Sequence, residues 1–345
     1  MSISIPQTKK QAQQIMVEIM RGQHATPDLV DFLKYYQAHF PTEEIMNEFL
    51  GAIKQSAVYS LNTADFDKPI VDLAGTGGDG KHTVNLSTLA ALTAAATGLV
   101  KAVKYGNRSA TSVCGSMDVL EAVGLNIELS EAALKKQLTE KGFAPLYARG
   151  VYPGGKFVAE ARSIVEGPTI FNILFPLARP VIGQARFVFG IAKQEMVEPI
   201  EKLYLLQPET RCLLVRGIDG LDEVSITGEG KTQYSLIENG QAKQGVLFSQ
   251  EIFGIEPIDL SLLQIETKQE AVDIFLQVLN PAIINEKART IREAVMVNAA
   301  CALFVALDEG NMNISDAKKY IEALNDVLRT GKALKFLGEL KESKV

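Results

Sequence analysis

The sequence predicts an α/β protein with a small all-helical module at its N-terminus and a large domain built on a mainly parallel central sheet. Three observations carry this. Through residues 7–61 apolar side chains recur at helical spacing. From Pro69 onward short apolar runs alternate with helical segments, the pattern of parallel strands joined by crossover helices. Between the first of those runs and its helix lies a glycine-rich turn in IVDLAGTGGDGKHTVNLST, residues 70–88. At 345 residues the chain is long for a single core, so a second, smaller unit is expected.

The helical module contains KKQAQQIMVEIMRG, stopped by Gly22, then PDLVDFLKYYQAHF after a turn, and TEEIMNEFLGAIKQSAVYS after Pro41. In the third segment Ile45, Phe49, Ile53 and Ala57 mark a core-facing stripe. His24 and His39 fall near helix ends and are taken as structural or surface residues. The first strand ends near Asp72, and a helix follows over residues 87–97. VKAVKYG is the second strand and delivers Lys104 to its C-terminal end, the edge where ligands of open α/β sheets collect. SVCGSMDVLEAVG places glycine and serine before the next helix. Ser130 caps EAALKKQLTEKG, FAPLYA is the third strand, and residues 153–178 turn helical again. RFVFGIA and RCLLVRG resume the sheet, residues 232–262 read as short strands and turns, and residues 285–309 and 315–328 as long amphipathic helices. No internal repeat or flexible linker is visible.

Hydrophobic residues make up 47%, charged residues 22%, and the net charge is −6, a balance that fits a soluble globular protein. No basic stripe points to nucleic acid. Cys114, Cys212 and Cys301 are odd in number and far apart, which argues against a disulfide framework and a zinc site. The start, MSISIPQTKKQAQQIM, lacks the apolar run of a signal peptide, and no apolar stretch of membrane-spanning length stands out, so a cytoplasmic enzyme with no membrane partner is the expectation. With three histidines in all, a histidine triad or metal cluster is hard to build.

Gly75, Gly77, Gly78 and Gly80 fall within six residues, which lets the backbone take positive φ and turn its N–H groups toward an anion. Asn85, Ser87 and Thr88 follow as side-chain donors at a helix start, where dipole and free amides favour phosphate. Two familiar cradles fit only in outline. A dinucleotide site wants an acid about twenty residues on, and here that region reads KAVKYGNRS. A nucleotide P-loop needs a hydroxyl where His82 stands and would not aim Asp79 at the phosphates. A turn that binds nothing leaves the run of donors unexplained. Gly115 and Ser116 offer a second anion-binding turn, or else Ser116 simply caps its helix.

GTGGD followed by N-x-S-T, with K-x-G-N-R-S about twenty residues later, resembles the anthranilate phosphoribosyltransferase family, whose scaffold is shared with the pyrimidine nucleoside phosphorylases. CGSMDVLE at 114–121, TIFNIL at 169–174 and LDEVS at 221–225 continue the match in the family's order over about 150 residues, and the flanking helices are also similar. The resemblance implies the nucleoside phosphorylase/phosphoribosyltransferase-type fold. It divides the chain into a small helical domain, residues 1–66 with 153–180 folding back onto it, and a large α/β domain of residues 67–152 and 181–345.

By the same resemblance the reaction is magnesium-dependent transfer of phosphoribosyl from phosphoribosyl pyrophosphate to anthranilate, with release of pyrophosphate, in tryptophan biosynthesis. Gly75, Gly77, Gly78, Asp79, Thr83, Asn85, Ser87, Thr88, Lys104, Gly115 and Ser116 would bind the donor. Asp222 and Glu223, with Ser87, would hold Mg2+ through oxygen ligands. Tyr105, Asn107, Tyr152 and Arg162 would meet the acceptor, the guanidinium facing its carboxylate. No side chain is assigned as a chemical catalyst, since a neutral aromatic amine needs little activation. Tyr105 and Tyr152 stand where the family has histidine, the segment leading to Tyr152 is a few residues longer than usual, and Phe175 and Arg179 stand in a stretch where the family favours glycine and a threonine–asparagine pair. The two tyrosines are expected to stack on the acceptor ring and donate hydrogen bonds to it. A paralogue with another aromatic or heterocyclic acceptor, a nucleoside phosphorylase and a non-catalytic homologue are the alternatives. A homodimer through the helical domain is expected.

Overall fold

The computed structural model describes residues 3–109, 113–282 and 285–342; Ser112, which begins the second glycine–serine segment, lies outside them. Three N-terminal helices form as their caps dictate. Thr8 accepts from the amide of Gln11, whose side chain returns the bond, to start Lys9–Met20. Pro27 opens Thr26–Ala38, and Thr42 accepts from the amide of Ile45 to start Glu43–Gln55. Gly22 follows the first helix with φ +71°, a conformation that favours glycine.

Among the described residues nine strands form two sheets: β1 Leu61–Asn62, β2 Ile70–Gly75, β3 Lys101–Gly106, β4 Phe143–Tyr147, β5 Val181–Ile182, β6 Ala185–Gly190, β7 Thr210–Gly217, β8 Lys231–Glu238 and β9 Gln241–Phe248. The large sheet runs β4-β3-β2-β6-β7-β8-β9, and β1 pairs with β5 in a small parallel ribbon. Strands β4 to β7 along that order are mutually parallel, while β8 and β9 are antiparallel. The sequence predicts only short strands over residues 232–262. Instead they supply most of an eight-plus-eight-residue hairpin turned by Asn239 and Gly240, both at positive φ, as a two-residue hairpin turn requires.

Side chains alternate between two cores, as strand geometry demands. Val71, Leu73, Val188, Leu213 and Val215 face the helices Leu86–Ala96 and Glu286–Leu307. Ile70, Ala74, Val103, Phe187, Phe189 and Leu214 join the core that includes the N-terminal helices. Glu286–Leu307 corrects two expectations. It is not amphipathic, because from Val297 to Ala306 its residues are buried all round, and it is long and apolar enough to cross a membrane by composition, although it forms the centre of the core. The C-terminal segment at 315–328 begins as a 3-10 turn, Ile314–Tyr320, before the helix Ile321–Arg329.

After β4 the chain returns to the N-terminal helices. The 3-10 turn Pro153–Val158 packs on Lys9–Met20, helix Ala159–Ile164 on Thr26–Ala38, and helix Phe171–Leu177 on Glu43–Gln55. The small ribbon of β1 and β5 closes this excursion before β6 enters the sheet.

Candidate active site

From β2 the sheet grows one way through β3 and β4, and the other way through β6 and β7. The strand order therefore reverses between β2 and β6, and a crevice at the C-terminal ends of those strands is where open α/β sheets bind ligands. Gly75 and Gly190 are paired there. Both are glycine because the segment carrying Asp222 lies against them. A Cβ on Gly75 would sit 2.2 Å from Asp222 Oδ2, and one on Gly190 would sit 1.4 Å from the Asp222 carbonyl oxygen. Gly190 is a site residue that the sequence reading missed.

The glycine turn bends as expected: Gly77, Gly78 and Gly80 have φ of +64°, +77° and +68°, and a side chain at any of them would enter open space. His82, also at positive φ, starts a segment held down by exchanges with residues 263–265, including the bridge of Thr83 with Gln264. The Gly77 amide is not free for an anion, however, since it donates to Asp222 Oδ2 at 2.7 Å. The Ser87 amide likewise donates to Glu223 Oε1 at 3.1 Å. Glycine turn and acid pair are therefore one assembly.

Asp222 and Glu223 are both half-buried, with one Glu223 oxygen shut away from solvent. Burial first, and the neighbouring charge of Asp79 second, raise Asp222 to about 6, and burial together with Asp222 lifts Glu223 well above the usual carboxylate range. Glu223 Oε2 is buried and has no hydrogen-bond partner. Two crowded carboxylates with an orphaned oxygen fit a hard cation that takes oxygen ligands. Among the described residues no group of three or more His, Cys, Asp or Glu forms a closed cage, so such a cation would share its shell with phosphate oxygens and water. Asn298, from the core helix, clamps the pair in place: its side chain accepts from the Val224 amide and donates to the Val224 carbonyl, both at 3.0 Å. Asp219 braces the same segment by accepting from Ser225 Oγ, Thr227 Oγ1 and the Leu221 amide.

Lys104 lies two residues before the end of β3 and is buried, with Nζ donating to Leu73 O at 2.8 Å. Burial drives its pKa down, while Asp72, Glu223 and Asp222 pull it up. Thr88 does not serve as a donor here, since it faces the interior and its Oγ1 has no partner. Asn85 uses its amide nitrogen on Cys114 O at 3.0 Å and keeps a buried acceptor, Oδ1, without a partner. The second turn also differs from expectation. Its N-cap is Gly115 rather than Ser116, and the Gly115 and Ser109 amides both donate to Asp118 Oδ2, so the Gly115 amide is already occupied. Ser116 Oγ approaches Asn107 O at 3.4 Å, and Asn107 itself is exposed.

The expected acceptor residues separate into two groups. Arg162 is half-buried, and its Nη2 donates to Asn172 Oδ1 at 3.3 Å, an oxygen that also accepts from the Thr169 amide. Tyr105 and Tyr152 are buried, and their hydroxyls donate to Phe175 O at 2.8 Å and Ala178 O at 2.7 Å. Neither hydroxyl is available to an acceptor, so the expectation that they bind one is corrected: they are struts between the sheet and the returning helix. Arg179 is likewise no acceptor residue. It is buried, its Nε 2.8 Å from Asp72 Oδ2, its Nη1 on the Tyr204 hydroxyl and its guanidinium 4.0 Å from the Phe187 ring centroid. Asp72 in turn accepts from the Tyr105 amide.

Residues 67–334 match the family model described as glycosyl transferase family, a/b domain. The chain is 33% identical over 335 residues to an anthranilate phosphoribosyltransferase of Thermoanaerobacter sp. (strain X514), covering 97% of this chain and 94% of that one. It is also 33% identical to that of Methanocorpusculum labreanum, covering 96% and 92%. Among solved structures, anthranilate phosphoribosyltransferase from Thermus thermophilus superimposes with a TM-score of 0.82 at 27% identity, over 97% of this chain and 94% of that one. The Saccharomyces cerevisiae enzyme in complex with PRPP and Mg shares the fold with a TM-score of 0.84 at 24% identity, over 97% and 93%. The glycine turn fused to an acid pair at the strand-order reversal, and likeness along nearly the whole length, place this chain in the anthranilate phosphoribosyltransferase family.

Proposed function

We propose that the protein transfers the phosphoribosyl group of phosphoribosyl pyrophosphate to anthranilate in tryptophan biosynthesis. The observation that carries the reading is the joining of the glycine turn to Asp222 and Glu223 through the Gly77 and Ser87 amides. In the reaction the amine nitrogen attacks the anomeric carbon. The new C–N bond forms as the C–O bond to pyrophosphate breaks, the electron pair leaves with the diphosphate, and the nitrogen loses one proton. Charge therefore develops on the leaving group, and a site of oriented donors stabilises it most.

In this reading the donor lies over the turn from Gly75 to Gly80, with Lys104 beneath it and the segment carrying Thr83, Asn85 and Ser87 along its flank. Asp222 and Glu223, beside Ser87, would hold Mg2+, which supplies positive charge against the diphosphate. Arg162, kept in place by Asn172, would pair with the acceptor carboxylate. The parts belong to two units, a helical one of residues 1–66 with 153–180 and an α/β one of residues 67–152 and 181–345, so the acceptor side and the donor side sit on different units. A cytoplasmic homodimer through the helical unit fits the exposed Tyr35 and Phe40 there.

The test is incubation with Mg2+, phosphoribosyl pyrophosphate and anthranilate, following loss of anthranilate fluorescence and release of pyrophosphate. Stoichiometric pyrophosphate and phosphoribosyl anthranilate are expected. Cleavage of pyrimidine nucleosides by inorganic phosphate, with no product from anthranilate, would overturn the assignment.

A further inference from the structure

We infer that Phe175 sets which aromatic acceptors the enzyme takes, its ring forming a fixed wall of the acceptor site beside Arg162. The inference rests on the function proposed above and goes beyond it by naming the side chain that limits the acceptor's size. Helix Phe171–Leu177 buries Phe171, Leu174 and Leu177 and leaves Asn172 and Phe175 half-buried. Those two are three residues apart and so are neighbours on one helical face, roughly 5–6 Å between Cβ atoms. Asn172 is the partner of Arg162, at 3.3 Å. A guanidinium bound to Asn172 and an aromatic ring next to Asn172 on the helix thus flank one residue, a combination that suits an aromatic carboxylate.

The ring cannot easily move aside. Phe171 stacks on it with centroids 5.2 Å apart, and Tyr152 lies 6.5 Å away at a tilt of 37°. Gly155 lies beneath, where an added Cβ would come within 3.1 Å of Phe175 Cζ, so the absence of a side chain in the Pro153–Val158 turn makes the seat for the ring. The backbone is pinned as well. The last carbonyls of a short helix lack intrahelical partners. Here Phe175 O, which the Ala178 amide also reaches at 3.2 Å, accepts from the Tyr105 hydroxyl, and Ala178 O accepts from the Tyr152 hydroxyl. Turn, ring and two tyrosines are mutually adapted, and all of them belong to the region where this sequence departs from its relatives.

A rigid wall discriminates by size. Anthranilate has one ring, whereas 3-amino-2-naphthoate keeps the same ortho amine and carboxylate and adds a fused second ring. With saturating Mg2+ and phosphoribosyl pyrophosphate, kcat/KM for the two acceptors is compared in the wild type, Phe175→Ala, Phe175→Leu and Tyr105→Phe. Phe175→Ala is expected to shift the ratio toward the naphthoate by about tenfold or more. Phe175→Leu should shift it less, and Tyr105→Phe, which removes the bond that ties the Phe175 carbonyl to the sheet, should shift it in the same direction, with the KM for the donor unmoved in each. The chain has no tryptophan, so equilibrium binding of both acceptors can also be read from their own fluorescence. An unchanged preference in folded Phe175→Ala and Phe175→Leu, in turnover and in binding, would overturn the inference while leaving the function intact. A wild type that binds donor but neither binds nor converts anthranilate would overturn both.

Discussion

Replacing Gly190 by alanine should disable the site through one methyl group. The added Cβ would lie 1.4 Å from the Asp222 carbonyl oxygen, 2.2 Å from its carbonyl carbon and 3.0 Å from its Cα. Non-bonded heavy atoms need roughly 3.5 Å, so the Asp222 backbone, or β6 itself, must move by about 2 Å. Backbone cannot rotate away as a side chain tip can, and β6 is hydrogen-bonded on both sides, to β2 and β7. The acid segment therefore yields. A shift of that size breaks the 2.7 Å bond from the Gly77 amide to Asp222 and carries Glu223 with it. Overpacking of this kind costs about 1–3 kcal/mol, and a misplacement of about 1 Å can lower a rate by about a hundredfold. The expected variant is folded, is less stable by about 1–3 kcal/mol in denaturant unfolding, and turns over at least about a hundredfold more slowly with a raised requirement for Mg2+. Gly51→Ala is the matched control, since a Cβ in the helix Glu43–Gln55 meets nothing within 4 Å. It should stabilise by about 0.5–1 kcal/mol and leave the rate alone. Wild-type turnover and Mg2+ dependence in Gly190→Ala would refute the claim that the glycine exists to admit the acid segment.

Three further outcomes follow from the buried charges. Arg179→Leu leaves Asp72 interred without its cation and should destabilise by about 3–5 kcal/mol, read as a shift of the denaturation midpoint; a loss below about 1 kcal/mol would mean that Tyr105 and water satisfy Asp72 unaided. Arg162→Ala should raise the KM for anthranilate by about ten- to a hundredfold, the loss of one charge-assisted pair, while calorimetry with phosphoribosyl pyrophosphate stays unchanged; weakened donor binding would move Arg162 to the other substrate. Glu223→Gln should lose most Mg2+-dependent turnover yet unfold no more easily than the wild type in metal-free buffer, because the amide removes a buried charge repelled by Asp222 while its oxygen can still accept from Ser87; a clear loss of metal-free stability would show that the carboxylate serves the fold rather than the ligand.

What could be seen in the sequence was whatever leaves a local signature. Positive φ favours glycine, so the turn at 75–80 announced itself, and parallel strands between helices fixed the large sheet and its C-terminal edge. The hairpin of β8 and β9 also has such a signature in Asn239-Gly240, which a reading by alternation misses because the outer strand, exposed along most of its length, does not alternate strictly. Partners far apart in the chain leave none. Asp72 and Arg179 are 107 residues apart, and Val224 and Asn298 are 74 apart, and composition does not say which carboxylate a guanidinium will find. A tyrosine is equally silent about its hydroxyl: Tyr105 and Tyr152 carry the right chemistry for a substrate, but the carbonyls of Phe175 and Ala178 claimed it first.

That claim changes how the departures from the family pattern should be weighed. Taken one at a time, a tyrosine at 105, a tyrosine at 152, a phenylalanine at 175 and an arginine at 179 look like four independent losses of acceptor chemistry. In three dimensions they form two joined units. Tyr105 donates its backbone amide to Asp72 and its hydroxyl to Phe175 O, while Arg179 completes Asp72, so the sheet and the returning helix that carries Phe175 are tied into one network. Residues in one such network are expected to be strongly non-additive on substitution. Reverting Arg179 alone would leave the Asp72 carboxylate without its guanidinium, and reverting Tyr105 or Tyr152 alone would take a hydroxyl donor from the carbonyl of Phe175 or Ala178, each at a cost in stability. The set is therefore held together by stability even though its consequence is read in specificity, while Arg162 keeps its bond to Asn172, whose stretch at 169–174 follows the family pattern.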